Sequence, residues 1–131
     1  MSTQTVSSFG LSEIGQIAIN VRDLKRATTF YRDTLGMRFL FEAPNLAFFD
    51  CGGVRLMLGA PEQPEFDHPA SVIYYRVADL QQAYQLLQAR GVQFQGAPHL
   101  IARLPDHELW MAFLRDSENN LLALMSEVGK I

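Results

Sequence analysis

Two of the three histidines lie in one short stretch, together with charged residues and the only tryptophan. The stretch reads His99-Leu-Ile-Ala-Arg-Leu-Pro-Asp-His-Glu-Leu-Trp110. Imidazole titrates near neutral pH, so His107 and His99 are candidate proton carriers for acid–base catalysis. Alternatively, His99, His107 and Glu108 form a set of metal ligands suited to Zn, Fe, Mn or Ni. A third interpretation is a polar hairpin turn with solvated histidines and with Trp110 in the core.

Three arginines offer a different chemistry, the recognition of an anion. Arg55 and Arg76 lie in predicted strands, and two guanidinium groups on facing sheets can clamp a carboxylate or a phosphate. Each can instead reach solvent or pair with Glu42 or Asp50, because surface ion pairs of this kind are common and contribute little. Arg103, beside the histidines, is a further candidate for ligand binding.

Composition limits the class of protein. The 131 residues are 48% hydrophobic and 19% charged, with a net charge of −3, which is typical of one globular domain. We expect no nucleic-acid partner, because phosphate binding relies on clustered Lys and Arg. We expect no signal peptide and no membrane contact, because no apolar run approaches the roughly 20 residues that span a bilayer. Cys51 is the only cysteine, which favours a cytoplasmic location.

A repeated segment indicates how the candidate residues are positioned. Ile17-Ala-Ile-Asn-Val-Arg-Asp-Leu24 recurs as Ile73-Tyr-Tyr-Arg-Val-Ala-Asp-Leu80. In each copy, alternating apolar residues predict a strand and the aspartate is a helix N-cap. Gly36 and Gly91 then occupy positions that end a helix. Internal repetition of this kind constrains the fold strongly.

Each predicted helix is followed by short runs that are typical of strands. In the first copy these runs are residues 38–42, 46–51 and 54–58, and in the second they are 92–95, 99–104, 109–115 and 121–125. We expect a flexible N-terminus over 1–12 and a single domain over 13–131. Its two units are 14–60 and 71–128, joined by a proline-rich connector over 61–70.

A βαβββ unit that occurs twice resembles the vicinal oxygen chelate superfamily, which includes glyoxalase I, bleomycin-resistance proteins and extradiol dioxygenases. The resemblance rests on the repeated segment, on Phe30-Tyr-Arg-Asp-Thr-Leu-Gly36 and on Phe113-Leu-Arg-Asp-Ser-Glu-Asn-Asn-Leu-Leu-Ala-Leu124. The last string is similar to the family ending FxDPDGNxxEL, with Ser117 in place of Pro and Asn119 in place of Gly. The implied fold is α+β, with curved mixed sheets around a cleft and helices on the convex side.

The resemblance also implies where a metal would bind. In metal-dependent members, the first and last strand of each unit supply one ligand apiece, and the matching positions here are Gln16, Met57, Val72 and Ala123. Only Gln16 has a suitable donor, and one neutral amide does not hold a divalent ion. We therefore expect no metal and no other cofactor.

Strand alternation sorts the remaining residues between the helices and the cleft. Tyr74 is a good candidate for the cleft, since it offers a ring for stacking and a hydroxyl. The span 72–123 is 10 residues longer than the span 16–57, and long insertions often become lids or site loops. The predicted ligand-binding residues are Gln16, Asn20, Arg55, Met57, Tyr74, Arg76, Arg103, Trp110 and Ala123.

The function expected from these residues and from the resemblance is the metal-free binding of a small organic molecule, for which an anion suits the arginines. The alternative is a glyoxalase- or dioxygenase-type enzyme, a lyase, isomerase or ring-cleaving enzyme, that uses His99, His107 and Glu108. A structural or interaction module is a third interpretation. Members of the superfamily commonly dimerise, so the resemblance implies a homodimer in which two chains can share a cleft.

Overall fold

The computed structural model describes residues 9–61, 69 and 71–129, which form two units of equal topology. The elements of the first unit are β1 (Gln16–Asn20), α1 (Leu24–Thr29), a π-helical segment (Phe30–Thr34), β2 (Arg38–Ala43), β3 (Leu46–Cys51) and β4 (Val54–Gly59). Those of the second unit are β5 (Ile73–Arg76), α2 (Leu80–Ala89), β6 (His99–Arg103), β7 (His107–Arg115) and β8 (Leu121–Gly129). The predicted α+β class with two βαβββ units is confirmed.

Each unit forms one mixed four-stranded sheet. The strand order is β1-β4-β3-β2 in sheet A and β5-β8-β7-β6 in sheet B. The first strand of a unit runs parallel to the last, and the other neighbours are antiparallel. A parallel pair needs a long crossover, and the helix and two intervening strands supply it.

The helix ends form where the sequence predicts them. The carboxylates of Asp23 and Asp79 accept the backbone N–H three residues further on, at 3.0 and 3.1 Å. This satisfies one of the free amides of each first turn. Gly36 and Gly91 have φ of +73° and +92°, in the left-handed region that glycine enters at little cost.

Each sheet has one face covered by a helix and one that we name the open face. The predicted alternation is confirmed, because Ile19 is buried on the helix face whereas its neighbour Ala18 is exposed. The helix face of sheet A buries Ala27, Tyr31, Ala47, Phe49, Leu56 and Leu58. The helix face of sheet B buries Leu80, Leu87, Val92, Ala112, Leu114, Leu122 and Leu124.

The additional length of the second unit forms no separate lid within residues 92–123. The strand expected over 92–95 is reduced to an isolated bridge between Phe94 and Leu114, and the chain then leaves the sheet before β6. The rest of the length lies in β7, which has 9 residues where β3 has 6, and in the loop 116–120.

A loop of the second unit, residues 116–120, docks on the first helix, and we name this contact the seam. Asp116 is only 6% exposed. One of its carboxylate oxygens accepts the Tyr31 hydroxyl at 2.7 Å, and the other accepts the backbone N–H groups of Glu118 and Asn120 at 2.8 Å. A carboxylate from one unit therefore fixes an aromatic core residue of the other.

Glu118 adds a second buried carboxylate to the seam, with a side chain 1% exposed. It accepts the backbone N–H groups of Arg22 and Asp23 at 2.9 Å and the Arg26 Nε–H at 2.7 Å. Burial by itself raises the pKa of Glu118, but the hydrogen bonds from Arg26, Asp23, Ser117 and Arg22 outweigh it and hold that pKa at about 2.

Two predicted segments lie partly outside the described residues. Of the N-terminal segment 1–12, residues 9–12 are described, and they have no regular secondary structure. Of the connector 61–70, only Pro61 and Pro69 are described. Neither helix in the described part of the chain is long and apolar enough to cross a lipid bilayer.

Candidate functional site

The open face of sheet A places Gln16 and Arg55 side by side. The parallel register pairs them directly, and Arg55 Nε–H donates to Gln16 Oε1 at 2.8 Å. The guanidinium carbon also lies 5.6 Å from the centre of the Phe48 ring, within the range of a cation–π contact. A neutral amide and an aromatic ring thus hold Arg55, while Asp50 pairs with Arg38 at 3.8 Å.

The four positions that match metal ligands in the superfamily do not fit a divalent ion. The amide oxygen of Gln16 already accepts from Arg55, and its Nε2 lies 3.7 Å from Met57 Sδ. Val72 and Ala123 have no donor atoms in their side chains. Among the described residues, no group of three or more His, Cys, Asp or Glu side chains is placed to hold a metal. The donor chemistry at these positions therefore does not support a resident metal.

The open face of sheet B carries three aromatic side chains, Tyr74, His99 and Phe113, which we name the aromatic patch. Tyr74 is 47% exposed. Its ring lies 6.2 Å from that of Phe113 in an edge-on arrangement, and the His99 ring stacks on Phe113 at 6.4 Å. The register places Ala123 between Tyr74 and Phe113. Ala123 is fully buried beneath these rings, so a direct contact of this predicted cleft residue with a ligand is not supported.

Beside the aromatic patch lies an apolar floor, followed by a group of charged residues. Strand alternation and register bring Met125, Met111 and Leu109 onto the open face. Arg76 lies beside Met125 in the register, at the edge of this floor. An apolar surface bordered by a few polar groups is the usual composition of a small-molecule site.

The ionisable residues Arg76, His107 and Glu127 form what we name the polar end. Arg76 Nε and His107 Nε2 each lie 3.9 Å from a carboxylate oxygen of Glu127. His107 Nδ1 lies 2.7 Å from Asp106 Oδ1, and this hydrogen bond holds the pKa of Asp106 below its usual value. The polar end thus combines a guanidinium, an imidazole and a carboxylate in loose contact.

Glu127 was not among the residues selected from the sequence. The last strand was expected to end at residue 125, whereas β8 continues to Gly129. Extending the same alternation by one step places Glu127 on the open face. A correct prediction of the length of β8 would therefore have identified Glu127, whereas its residue type alone would not.

Arg103 and Trp110 do not lie on the open face, contrary to their selection as cleft residues. The register pairs Arg103 with Glu108 and Leu100 with Trp110, and it shifts at Ile101. Trp110 packs against the helix-side core of sheet B. Glu108 accepts the Arg103 Nε–H and the Trp110 Nε1–H, both at 3.2 Å. A ligand-binding role in the cleft for Arg103 and Trp110 is not supported by this placement.

The three residues of the alternative metal site are also kept apart. Glu108 follows His107 in β7, so its side chain points to the opposite face of the sheet. His99 lies opposite Met111, four residues along β7 from His107, which corresponds to roughly 13 Å. His99, His107 and Glu108 therefore do not converge on one point, and a metal site formed by these three residues is not supported.

Asn20 and the arginine pair complete the selected residues. The Asn20 carbonyl accepts Asn120 Nδ2 at 3.2 Å, so this residue contributes to the seam. Arg55 contacts residues of sheet A and Arg76 contacts Glu127 in sheet B. No ion pair or hydrogen bond links the two open faces at these arginines in the described part of the chain. The clamp by Arg55 and Arg76 thus stays a prediction, and each of the two arginines has a partner in its own sheet.

Comparisons with known proteins agree with this architecture. A family model described as the Glyoxalase/Bleomycin resistance protein/Dioxygenase superfamily matches residues 13–124. The chain is similar to the uncharacterized protein YraH of Bacillus subtilis (strain 168), at 26% identity over 126 residues that cover 83% of this chain and 94% of YraH.

Solved structures with the same fold include an enzyme and a binding protein. A lactoylglutathione lyase from Agrobacterium tumefaciens superposes with a TM-score of 0.68 at 22% identity, covering 88% of this chain and 93% of the lyase. TnmS3, an antibiotic binding protein from Streptomyces sp. CB03234, superposes with a TM-score of 0.71 at 23% identity, covering 91% and 98%. At these identities the likeness concerns the fold alone.

Proposed function

Because the chain belongs to the glyoxalase/bleomycin resistance protein/dioxygenase superfamily, we propose that it binds a small organic molecule on the open face of sheet B, without a metal ion. The observation that carries the proposal is the aromatic patch of Tyr74, His99 and Phe113. Aromatic side chains left accessible on a sheet face expose apolar area to water, and a planar ligand removes that area by stacking.

The polar end gives the ligand its orientation. The contacts of Glu127 with Arg76 and His107 are long, at 3.9 Å, and Arg76 is largely exposed. Loose exposed ion pairs stabilise the fold little, so an anionic ligand can replace Glu127 as the partner of Arg76. We therefore favour a planar aromatic molecule with a carboxylate or similar anionic group.

An enzyme is the second candidate function, and one observation favours it. His107 lies 2.7 Å from Asp106, and a histidine oriented by a carboxylate is a common general base. Superfamily membership does not distinguish between the two functions, because solved structures with this fold include both a lyase and an antibiotic binding protein. The exposed position of Asp106 makes the binding function the stronger proposal.

A homodimer is part of the proposal, with a second copy covering the open faces. The contacts between the units run along the seam and the helix side, through residues such as Tyr31 and Glu118. Large apolar side chains remain exposed on the open faces, with Phe41 of sheet A and Tyr74 of sheet B both at 47%. Pairing sheet A of one chain with sheet B of another would shelter both residues and bring Arg55 towards the ligand.

A cytoplasmic location completes the proposal. The lone Cys51 is half-buried, and burial raises the pKa of its thiol. A thiol kept protonated reacts slowly, which suits a residue without a redox role in a reducing compartment. Localisation of a tagged full-length chain by cell fractionation would check this.

Two exposed aromatic residues provide a matched test of the site. Ligand-observed NMR with planar aromatic acids should detect binding to the unmodified chain and to Phe9→Ala, a variant of an aromatic residue that is 79% exposed outside both sheets, and a loss of at least tenfold in affinity for Tyr74→Ala. Equal affinity in Tyr74→Ala and Phe9→Ala would exclude the open face of sheet B. Metal analysis of protein purified without chelator separates the two functions, because stoichiometric zinc, iron, manganese or nickel would overturn metal-free binding.

A further inference from the structure

A cavity of about 250 Å³ lies on the helix face of sheet B, opposite the face that carries the aromatic patch. Its walls come from the end of the first helix, from α2 and from helix-facing side chains of sheet B. Among the residues that line it are Leu35, Met37, Tyr75, Ala83, Leu86 and Arg90. The cavity thus lies between the two units and under a single helix.

This cavity is a mostly apolar cleft that is open to solvent on one side. Its volume is enough for a small ligand, since an engineered apolar cavity of roughly 150 Å³ in another protein binds benzene. Ala83 presents only a methyl group from α2, where a larger side chain would fill part of the space. Leu86, one turn along the same helix, is 51% exposed, so the cavity opens to solvent beside it.

Two polar groups break the apolar wall. The Tyr75 hydroxyl is buried and has no hydrogen-bond partner among the described residues, and such an orphan often indicates that a water or a ligand atom belongs nearby. One N–H of the Arg90 guanidinium donates to the Thr34 carbonyl at 2.9 Å. Arginine has five such donors in a rigid fork, so Arg90 keeps donors for a further partner beside the apolar wall.

We propose that this cavity is a second binding site, which takes a compact apolar carboxylate. The hydrocarbon part lies against the leucines under α2, and the carboxylate accepts hydrogen bonds from Arg90. Apolar volume supplies the affinity, whereas the guanidinium selects an anionic head group. This inference goes beyond the proposed function, because the cavity and the aromatic patch lie on opposite faces of sheet B.

Octanoate and the uncharged octanol of equal chain length are suitable probes. We expect saturable binding of octanoate in a heteronuclear NMR titration, with affinity at least tenfold above that for octanol. Intermolecular NOEs should connect the octanoate chain to the methyl groups of Ala83 and Met37. Absence of saturation at millimolar octanoate, equal binding of octanol, or NOEs only to residues of the open face would each overturn the proposal.

A pair of substitutions on α2 tests the position of the site. Ala83→Leu fills the cavity, whereas Ala89→Leu adds the same side chain at an exposed position of the same helix. Octanoate affinity should fall at least tenfold in the first variant and stay unchanged in the second. If Ala83→Leu fails to fold, because added methylenes can overpack a core, the NOE measurement on the unmodified chain still decides.

The open-face variant Tyr74→Ala separates this inference from the proposed function. It should leave octanoate binding unchanged while it weakens binding of planar aromatic acids. Loss of octanoate binding in Tyr74→Ala would mean that octanoate binds on the open face, and the cavity would then not be a second site. Loss of aromatic-acid binding alone would support both sites.

Discussion

The seam and the polar end are both clusters of charged residues, yet they use charge in opposite ways. At the seam, Asp116 and Glu118 are buried and accept hydrogen bonds at about 3 Å or less. At the polar end, Arg76 and His107 each lie 3.9 Å from Glu127. At the seam, the carboxylates have their hydrogen-bond partners within the fold. At the polar end, the guanidinium of Arg76 keeps donors that a ligand can use.

Solvent explains the difference. A buried carboxylate without hydrogen bonds is strongly destabilising, so the fold must supply every partner. An exposed guanidinium such as that of Arg76 is hydrated by water and needs no protein partner. Charge density therefore does not identify a binding site in this molecule, but incomplete pairing on an exposed apolar face does.

Asp116→Ala should give the largest loss of stability. The change leaves the Tyr31 hydroxyl and the backbone N–H groups of Glu118 and Asn120 without their acceptor in a buried place. We expect the free energy of unfolding in urea to fall by at least about 3 kcal/mol. Asp106→Ala, beside the polar end, is the matched control and should show no measurable loss. Equal losses in both variants would remove the distinction between the two regions.

Acid should weaken the seam through Glu118. Its pKa of about 2 in the folded chain lies below the ordinary value of 4.5. The unfolded chain therefore binds the proton more readily, so this stabilisation is complete above pH 4.5 and disappears as the pH falls towards 2. It is on the order of 3 kcal/mol.

Comparison with Glu118→Gln measures that contribution. The unmodified chain should lose stability relative to the variant between pH 5 and pH 2 in urea titrations. Parallel pH profiles for the two proteins over this range would contradict the role assigned to Glu118.

Removal of a single hydroxyl group should change the free energy of unfolding less, and the change should still differ between the seam and the open face. Tyr31→Phe deletes one of the hydrogen bonds to Asp116 and should cost about 1–2 kcal/mol in the free energy of unfolding. Tyr74→Phe deletes a hydroxyl from an exposed ring on the open face and should leave thermal stability unchanged. A larger loss in Tyr74→Phe than in Tyr31→Phe would reverse the comparison.

Arg76→Gln should have the smallest effect on stability and a clear effect on binding. The ion pair with Glu127 is long and exposed, so we expect no measurable change in melting temperature. Affinity for planar aromatic acids should fall severalfold in calorimetric titration, while affinity for the matching neutral amides should not. Arg55→Gln on sheet A is the control in monomeric protein, and an equal effect there would indicate a cleft shared by both sheets.

The repeat allowed most of the fold to be predicted from the sequence. Alternating residues, the capping aspartates and the terminating glycines are local signals, and each acts within a few residues. Asn119 shows the same principle, because it stands where the superfamily has glycine and takes φ of +68°, a conformation that asparagine tolerates. Such positions can be predicted because a backbone with positive φ accepts few residue types.

The site was less predictable because it depends on register and on distant contacts. A shift at Ile101 in β6 changes which face Arg103 occupies, and no residue type indicates that shift in advance. Glu127 was missed because the length of β8 depends on its pairing with β7. Asp116 and Glu118 find partners some 85 to 96 residues away, a separation that local patterns do not reveal.

Glu118 has a consequence for the order in which the chain can fold. It supplies the acceptor for the backbone of Arg22 and Asp23 at the start of α1, 96 and 95 residues earlier. During synthesis, the first unit therefore leaves the ribosome long before Glu118, the acceptor at the start of α1, has been added to the chain. Domains usually fold as units during synthesis. Here the first unit completes its hydrogen bonds only when the second unit is present. We therefore expect the two units to unfold together in a single cooperative transition.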